Sequence, residues 1–218
     1  MFAIREAKKR APKIRKLLLS WAIEALRSYP WRKMTTPYSI FVAEVLLKRT
    51  TSTAVNRIYK DFLGHYPSIK ALAEADTKEL EASLRSVGYQ KLRAQEFREA
   101  ATFIQAKFNG RMPKDMDKLL SIPNIGPYTA AAILSLSYGI RAPMVDSNVE
   151  RILQRVFRNS MPNGSLSRVT REVADVLLPQ EEHATFNLAM IDLGGVICRY
   201  RSSHCEECPL KKNCDSAH

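Results

Sequence analysis

The first 197 residues of this 218-residue chain contain no cysteine. A disulfide framework spreads cysteines through a chain, so that class is excluded. Glycine is sparse at 8 residues, and with 11 prolines the composition is neither collagen-like nor low-complexity. No apolar run approaches the ~20 residues that span a bilayer. The longest near the start, Leu17-Leu18-Leu19-Ser20-Trp21-Ala22-Ile23, stops at Glu24 and has no small-residue cleavage site, so neither a membrane span nor a secretory signal is expected. Acidic residues are also scarce. Twenty-two Asp and Glu stand against 34 Lys and Arg, a formal net charge of +12, and the pI is near 9.7. A domain this basic, with its cations clustered, suits a polyanionic partner. The densest cluster is Arg5, Lys8, Lys9, Arg10, Lys13, Arg15 and Lys16. It fits a solvated helix face as well as it fits phosphate contact.

No convincing alternating strand is present, and the periodicity is helical almost throughout. Thr36-Pro37 pairs an N-cap with Pro at the first helical position. Ile40, Phe41, Val45, Leu46 and Leu47 behind it form a wide apolar stripe. Asp76-Thr77 opens another helix containing Leu80 and Leu84, with Gly88 just past its end. Residues 90–108 carry Leu92, Phe97, Ala100, Ala101 and Ile104 at three- and four-residue spacing. Further helices are predicted over 128–138, 147–158, 165–178 and 182–193. The chain reads as all-α, with short connections and no internal repeat.

All four cysteines lie within the segment Cys198-x6-Cys205-x2-Cys208-x5-Cys214. Four thiolates so close together can wrap one soft-metal centre. Tetrahedral zinc and a four-iron four-sulfur cluster both accept such a set, and the chemistry alone leaves them level. His204 adjoins Cys205, but four cysteines complete a site, so His204 reads as an exposed loop residue.

Two adjacent features are more specific. In Leu119-Leu120-Ser121-Ile122-Pro123-Asn124-Ile125-Gly126-Pro127-Tyr128-Thr129-Ala130, a short helix meets a tight turn and then a second helix. The turn needs a residue tolerant of positive φ, which Gly126 is and which Asn124 can be. Amides at the second helix's start would form an anion site. That is the logic of a helix-hairpin-helix gripping a DNA phosphate run, and an ordinary αα-hairpin explains the pattern equally well. Next comes Pro143-Met144-Val145-Asp146-Ser147-Asn148-Val149-Glu150-Arg151, where Asp146 or Ser147 would cap a helix. Helix dipole and backbone N–H groups favour negative charge at such a cap. A fixed carboxylate at a cleft mouth also suits a positive charge developing on a sugar.

Hairpin, following Asp and four-cysteine loop, in that order, resemble the helix-hairpin-helix DNA glycosylases of the endonuclease III and adenine glycosylase superfamily. Phe186-Asn187 and Met190-Ile191-Asp192-Leu193-Gly194 belong to the same pattern. The resemblance covers about residues 17–214 and implies one four-iron four-sulfur cluster on Cys198, Cys205, Cys208 and Cys214. It implies an all-α fold with two subdomains flanking a DNA-binding cleft: 30–139 with the hairpin, and 1–29 plus 140–218 with the cluster. Asn124 stands where the family usually has Gly. By resemblance, Asp146 stabilises the oxocarbenium-like sugar or helps water attack the anomeric carbon, and Asn148 lies in the same DNA-contacting stretch. Glycosylase-lyases carry Lys at the position of Tyr128, and a phenol cannot form their imine. A monofunctional enzyme that leaves an abasic site is therefore expected.

The stretch Ala43-Glu44-Val45-Leu46-Leu47-Lys48-Arg49-Thr50-Thr51 is similar to that of archaeal T/G mismatch glycosylases, in which this Glu lines the base pocket. Adenine glycosylases also have Glu there, but Gln-Gln in place of Lys48-Arg49. Arg49 aligns with a side chain that fills the space left by an extruded base, and simple phosphate contact is its other reading. Gly88-Tyr89 resembles the adenine-glycosylase version of a minor-groove loop. The chain ends four residues after Cys214, so the additional C-terminal domain of adenine glycosylases is expected to be lacking. The expected substrate is thymine, and uracil, opposite guanine in duplex DNA. Adenine excision and a non-catalytic iron–sulfur DNA-binding protein are the alternatives. Lys48, Arg49, Gly88, Tyr89, Asn124, Gly126 and Asn148 would contact DNA; Asp146, Glu44 and Tyr128 would serve catalysis. The resemblance further implies a monomer acting in the cytoplasm at the nucleoid, away from membranes, with an abasic-site endonuclease downstream.

Overall fold

The structure is a computed structural model and describes residues 2–161 and 168–218. In chain order its α-helices are α1 (Phe2–Ala25), α2 (Pro30–Lys33), α3 (Pro37–Leu47), α4 (Ser52–His65), α5 (Ile69–Glu74) and α6 (Thr77–Ser83). They continue with α7 (Gln90–Phe108), α8 (Met116–Leu120), α9 (Pro127–Ser137), α10 (Ser147–Val156), α11 (Arg168–Leu177) and α12 (His183–Val196). Among the described residues, extended pairing is confined to one isolated bridge between Cys198 and Ser203. The fold is all-α. The predicted start of the 165–178 helix lies outside the described residues, and the helix is present from Arg168.

Two compact units result. One is Ser28–Ile140; the other joins the residues up to Arg27 with those from Arg141 onward. In the Ser28–Ile140 unit, most helices start on a side-chain oxygen that accepts an otherwise orphaned backbone N–H. Thr36 Oγ1 accepts from Ser39 N at 3.1 Å, Thr51 from Ala54 N at 3.2 Å and Ser68 from Ala71 N at 3.1 Å. Asp76 accepts from Lys78 N and Glu79 N at 2.9 and 3.0 Å. Helix α3 is buried from Ser39 to Leu46 and forms the axis of the unit. Its Phe41 meets Phe97 of α7 edge-on, ring centroids 5.7 Å apart, and Phe97 stacks on Phe62 of α4 at 5.1 Å. Each such side chain contributes roughly 1.5–3 kcal/mol by leaving water. Tyr59 donates its hydroxyl to Ser39 O at 2.8 Å, and burial pushes its phenol up to about 12.

The second unit rests on α1. Ala3, Ala7, Ala11, Ile14 and Leu18 form one buried stripe that packs into a core with α10, α11 and α12. The alanines let neighbouring backbones approach closely. Two of the clustered basic residues are spent internally. Arg15 Nε donates to Leu177 O at 2.9 Å, and its Nη2 donates to Val176 O and Leu178 O at 2.7 and 3.2 Å, which caps α11. Arg10 pairs with Asp215 at 3.1 Å and donates to Val156 O at 3.0 Å. Arg5, Lys8, Lys9, Lys13 and Lys16 stay exposed. The N-terminal cluster is thus a solvated lysine-rich face with two structural arginines.

Candidate active site and nucleic-acid interface

Asp146, not Ser147, caps α10. Its Oδ1 accepts from Asn148 N at 2.9 Å and Val149 N at 2.8 Å, while Oδ2 accepts from Asn148 Nδ2 at 2.8 Å. All three donors suit an acceptor-only carboxylate, and the side chain stays half-exposed. Asn148 is held in turn: its Oδ1 accepts from Arg151 Nη2 at 2.9 Å. The same Nη2 donates to Gly194 O at 2.7 Å, and Arg151 Nε donates to Cys198 O at 2.8 Å. A continuous chain of hydrogen bonds therefore joins Asp146 to the first cysteine of the loop. Gly194 makes the approach possible, because a Cβ there would fall 2.6 Å from Asn148 Cβ. Buried Asn187 accepts from Met144 N at 3.1 Å and donates to Ala142 O at 2.9 Å, fixing the strand of chain that leads into Asp146.

Cys198, Cys205, Cys208 and Cys214 are all free thiols and line one cavity of ≈ 460 Å3. Burial pushes the Cys208 thiol up to about 11, and the negative charge of the other three cysteines adds to this. Cys214 is raised by burial and then by its neighbours. A set of thiolates that disfavour one another in a half-buried cavity suits a cationic centre between them. Among the described residues, no three His, Cys, Asp or Glu side chains converge on a single-ion position. Arg155 organises the loop: Nη1 donates to Cys198 Sγ at 3.3 Å, Ser203 Oγ at 2.7 Å and Arg199 O at 2.8 Å. His204 is exposed, and the histidine within reach of a cysteine is His218, its Nδ1 3.9 Å from Cys205 Sγ.

In the Ser28–Ile140 unit, Glu44 is a buried carboxylate on the apolar α3, and Tyr128 is the second residue of α9 and half-buried. The hairpin is α8, a turn and α9. Asn124 takes the left-handed conformation at φ 66°, while Gly126 is extended at φ −93° and caps α9. Asn124 therefore meets the conformational demand of the turn. A Cβ on exposed Gly126 would meet nothing within 4 Å, so neither backbone nor packing requires glycine there. Lys48 Nζ donates to Asn124 O at 3.1 Å and pairs with Glu96 at 3.0 Å, which ties the end of α3 to the hairpin. Arg49, Gly88 and Tyr89 have φ of 54°, 73° and 53°. The Arg49 guanidinium lies over the exposed Tyr89 ring, 5.9 Å from its centroid.

Sequence reasoning missed Arg93, Arg151 and Arg155. Only Arg93 leaves a trace in the pattern, as a cation inside the apolar stripe of α7.

Residues 42–174 match the family described as "HhH-GPD superfamily base excision DNA repair protein". The chain is 32% identical over 208 residues to the thymine/uracil-DNA glycosylase of Methanothermobacter thermautotrophicus, covering 95% of this chain and 94% of that protein. It is 36% identical over 197 residues to the adenine DNA glycosylase of Mycobacterium tuberculosis, covering 88% of this chain and 64% of that one. The solved structure of a thermostable thymine-DNA glycosylase superposes with a TM-score of 0.88 at 30% identity, covering 95% of this chain and 98% of that one. With the hairpin, the helix-capping aspartate and a match over more than half its length, this chain belongs to the HhH-GPD superfamily of base excision DNA repair proteins.

Proposed function

We propose that this chain is a monofunctional DNA glycosylase that releases thymine, and uracil, mispaired with guanine. The observation that carries the reading is Asp146, a carboxylate fixed by three hydrogen bonds and half-open to solvent, in a chain of this family. As the N-glycosidic bond breaks, positive charge grows on the sugar, and a carboxylate already oriented stabilises it without reorganising. The same carboxylate can orient the attacking water. Glu44 and Tyr128 are assigned to the pocket for the extruded base. Tyr128 offers no amine for an imine, so the product is an abasic site with an intact strand. An enzyme class that cuts abasic strands must then consume it.

Four free thiols around one cavity support a four-iron four-sulfur cluster on Cys198, Cys205, Cys208 and Cys214. When bound, it supplies a cross-link that holds the 198–214 loop in shape. The N-terminus of α9 and the open space at Gly126 suit a DNA phosphate. The enzyme would act as a monomer on duplex DNA.

Thymine is a normal base, so selectivity must come from the weak mispair and the guanine opposite. A pocket discriminates one methyl group by only ~1–3 kcal/mol, so uracil should be accepted as well. Gly88-Tyr89 and the adenine glycosylase relative favour the second reading, adenine excision. Single-turnover release on T/G, U/G, A/G and A opposite oxidised guanine separates the two. Efficient adenine release with T/G left intact would overturn the thymine reading. Borohydride trapping of a covalent enzyme–DNA adduct at levels matching turnover would overturn the monofunctional assignment.

A further inference from the structure

The mechanism leaves one buried cation unused. Arg93 of α7 is 2% exposed and borders a cavity shared with Lys48, Arg49, Tyr89, Leu92 and Glu96. Among the described residues, its guanidinium donates to three backbone carbonyls and to no carboxylate. Nε reaches Gly88 O at 2.9 Å, while Nη1 and Nη2 donate to Val45 O and Lys48 O. Val45 and Lys48 belong to the final turn and cap of α3, whose last carbonyls have no intrahelical partner. Gly88 immediately precedes Tyr89.

The two segments so joined are unusual. Each carries a non-glycine residue in the left-handed region directly beside a clamped carbonyl: Arg49 after Lys48, and Tyr89 after Gly88. Such backbone persists only where surrounding contacts over-determine it. The planar fork of arginine can span both segments at once; a lysine ammonium, a point donor, cannot reproduce that geometry. One turn further along α7, Glu96 holds Lys48, and one more turn on, Glu99 accepts from Asn124 Nδ2 at 2.9 Å.

The geometry points to Arg93 as a positioning residue that sets Arg49 and Tyr89 in a single register, so that both probe a duplex together. This deepens the glycosylase reading and rests on it. Arg93 touches no DNA; it acts through the two loops.

The test compares wild type, Arg93→Lys and Arg93→Gln on a T/G duplex with 2-aminopurine beside the mispair. Circular dichroism first establishes that the variants fold. The wild type should raise 2-aminopurine fluorescence on binding, and the variants should lose that rise while still binding matched duplex as the wild type does. Single-turnover thymine release should fall about tenfold to a hundredfold, as misplacement of positioned groups predicts. Arg49→Ala combined with Arg93→Lys should lose less than the product of the two single losses, because part of the Arg93 effect runs through Arg49. A full fluorescence rise in the variants, or losses that multiply, would overturn the proposal. So would failure of both variants to fold, which would make Arg93 a residue of stability only. Should the wild type release no base at all, the glycosylase reading fails separately. The fluorescence then decides the role of Arg93: a rise lost in the variants sustains it, and a rise unchanged, or absent from the wild type, ends it.

Discussion

The two units secure their functional groups by opposite means. Around Asp146 the backbone is relaxed, and position comes from side-chain hydrogen bonds that end on the cysteine loop. In the Ser28–Ile140 unit the backbone itself is bent into unfavourable regions at Arg49, Tyr89 and Asn124, and contacts to α7 hold it there. The first arrangement depends on a distant loop being folded. The second depends on a 19-residue helix with a continuous apolar face. Damage should therefore travel far in the first unit and remain local in the second.

Asp146→Asn gives the largest expected effect and separates capping from chemistry. Asparagine caps a helix about as well as aspartate, so the melting temperature should hold. Single-turnover excision should fall about 10²–10³-fold, the usual cost of one preorganised electrostatic contact. Unchanged excision would leave Asp146 as a cap only. Cys208→Ala asks whether the cysteine loop supports its own unit alone. Iron analysis should drop below the about four irons per chain expected of a four-thiolate cluster. Hydrogen exchange should then loosen α10 and α12 while α7 stays protected. Uniform loosening of both units would break the comparison.

Arg151→Met cuts the chain of hydrogen bonds without touching Asp146 or any cysteine. A charged, partly buried hydrogen-bond donor contributes ~1–3 kcal/mol, so thermal stability should fall by that amount, and excision should weaken with duplex affinity retained. A variant as active as the wild type would show that Asn148 alone orients the carboxylate. The smallest effect is expected at Asn124. Asn124→Ala places an ordinary side chain in the left-handed region, at a cost of about 1–2 kcal/mol. Asn124→Gly relieves the backbone but loses the contact to Glu99, and chemical denaturation should place it close to the wild type.

The helices legible in the sequence are those with punctuation at both ends. Helix α7 is read over 90–108 and found there, bounded by left-handed Tyr89 and Asn109. Helix α4 is not among those predicted, although Thr51 caps it and Val55, Tyr59 and Phe62 share one buried face. The hairpin was legible as strand-free turn chemistry, although Asn124 rather than Gly126 takes the positive φ. The arginines were not legible. Arg10, Arg15, Arg93, Arg151 and Arg155 all donate to backbone carbonyls far along the chain. A carbonyl acceptor has no side-chain identity, so composition and spacing cannot show which cations are spent this way. The same limit explains why the N-terminal cluster divides as it does.

The stripe of α1 packs against helices formed from residues that follow the whole Ser28–Ile140 unit in the chain. A ribosome delivering roughly 5–20 residues per second therefore releases α1 several seconds before its partners exist. The contiguous unit can complete itself in that interval. The early helix must wait, its alanine stripe uncovered, until α10 to α12 emerge, and the cysteines follow last. Birth order thus makes folding of the 198–214 loop a late step of maturation, so a chain whose loop fails to close is half built rather than merely lacking an ornament.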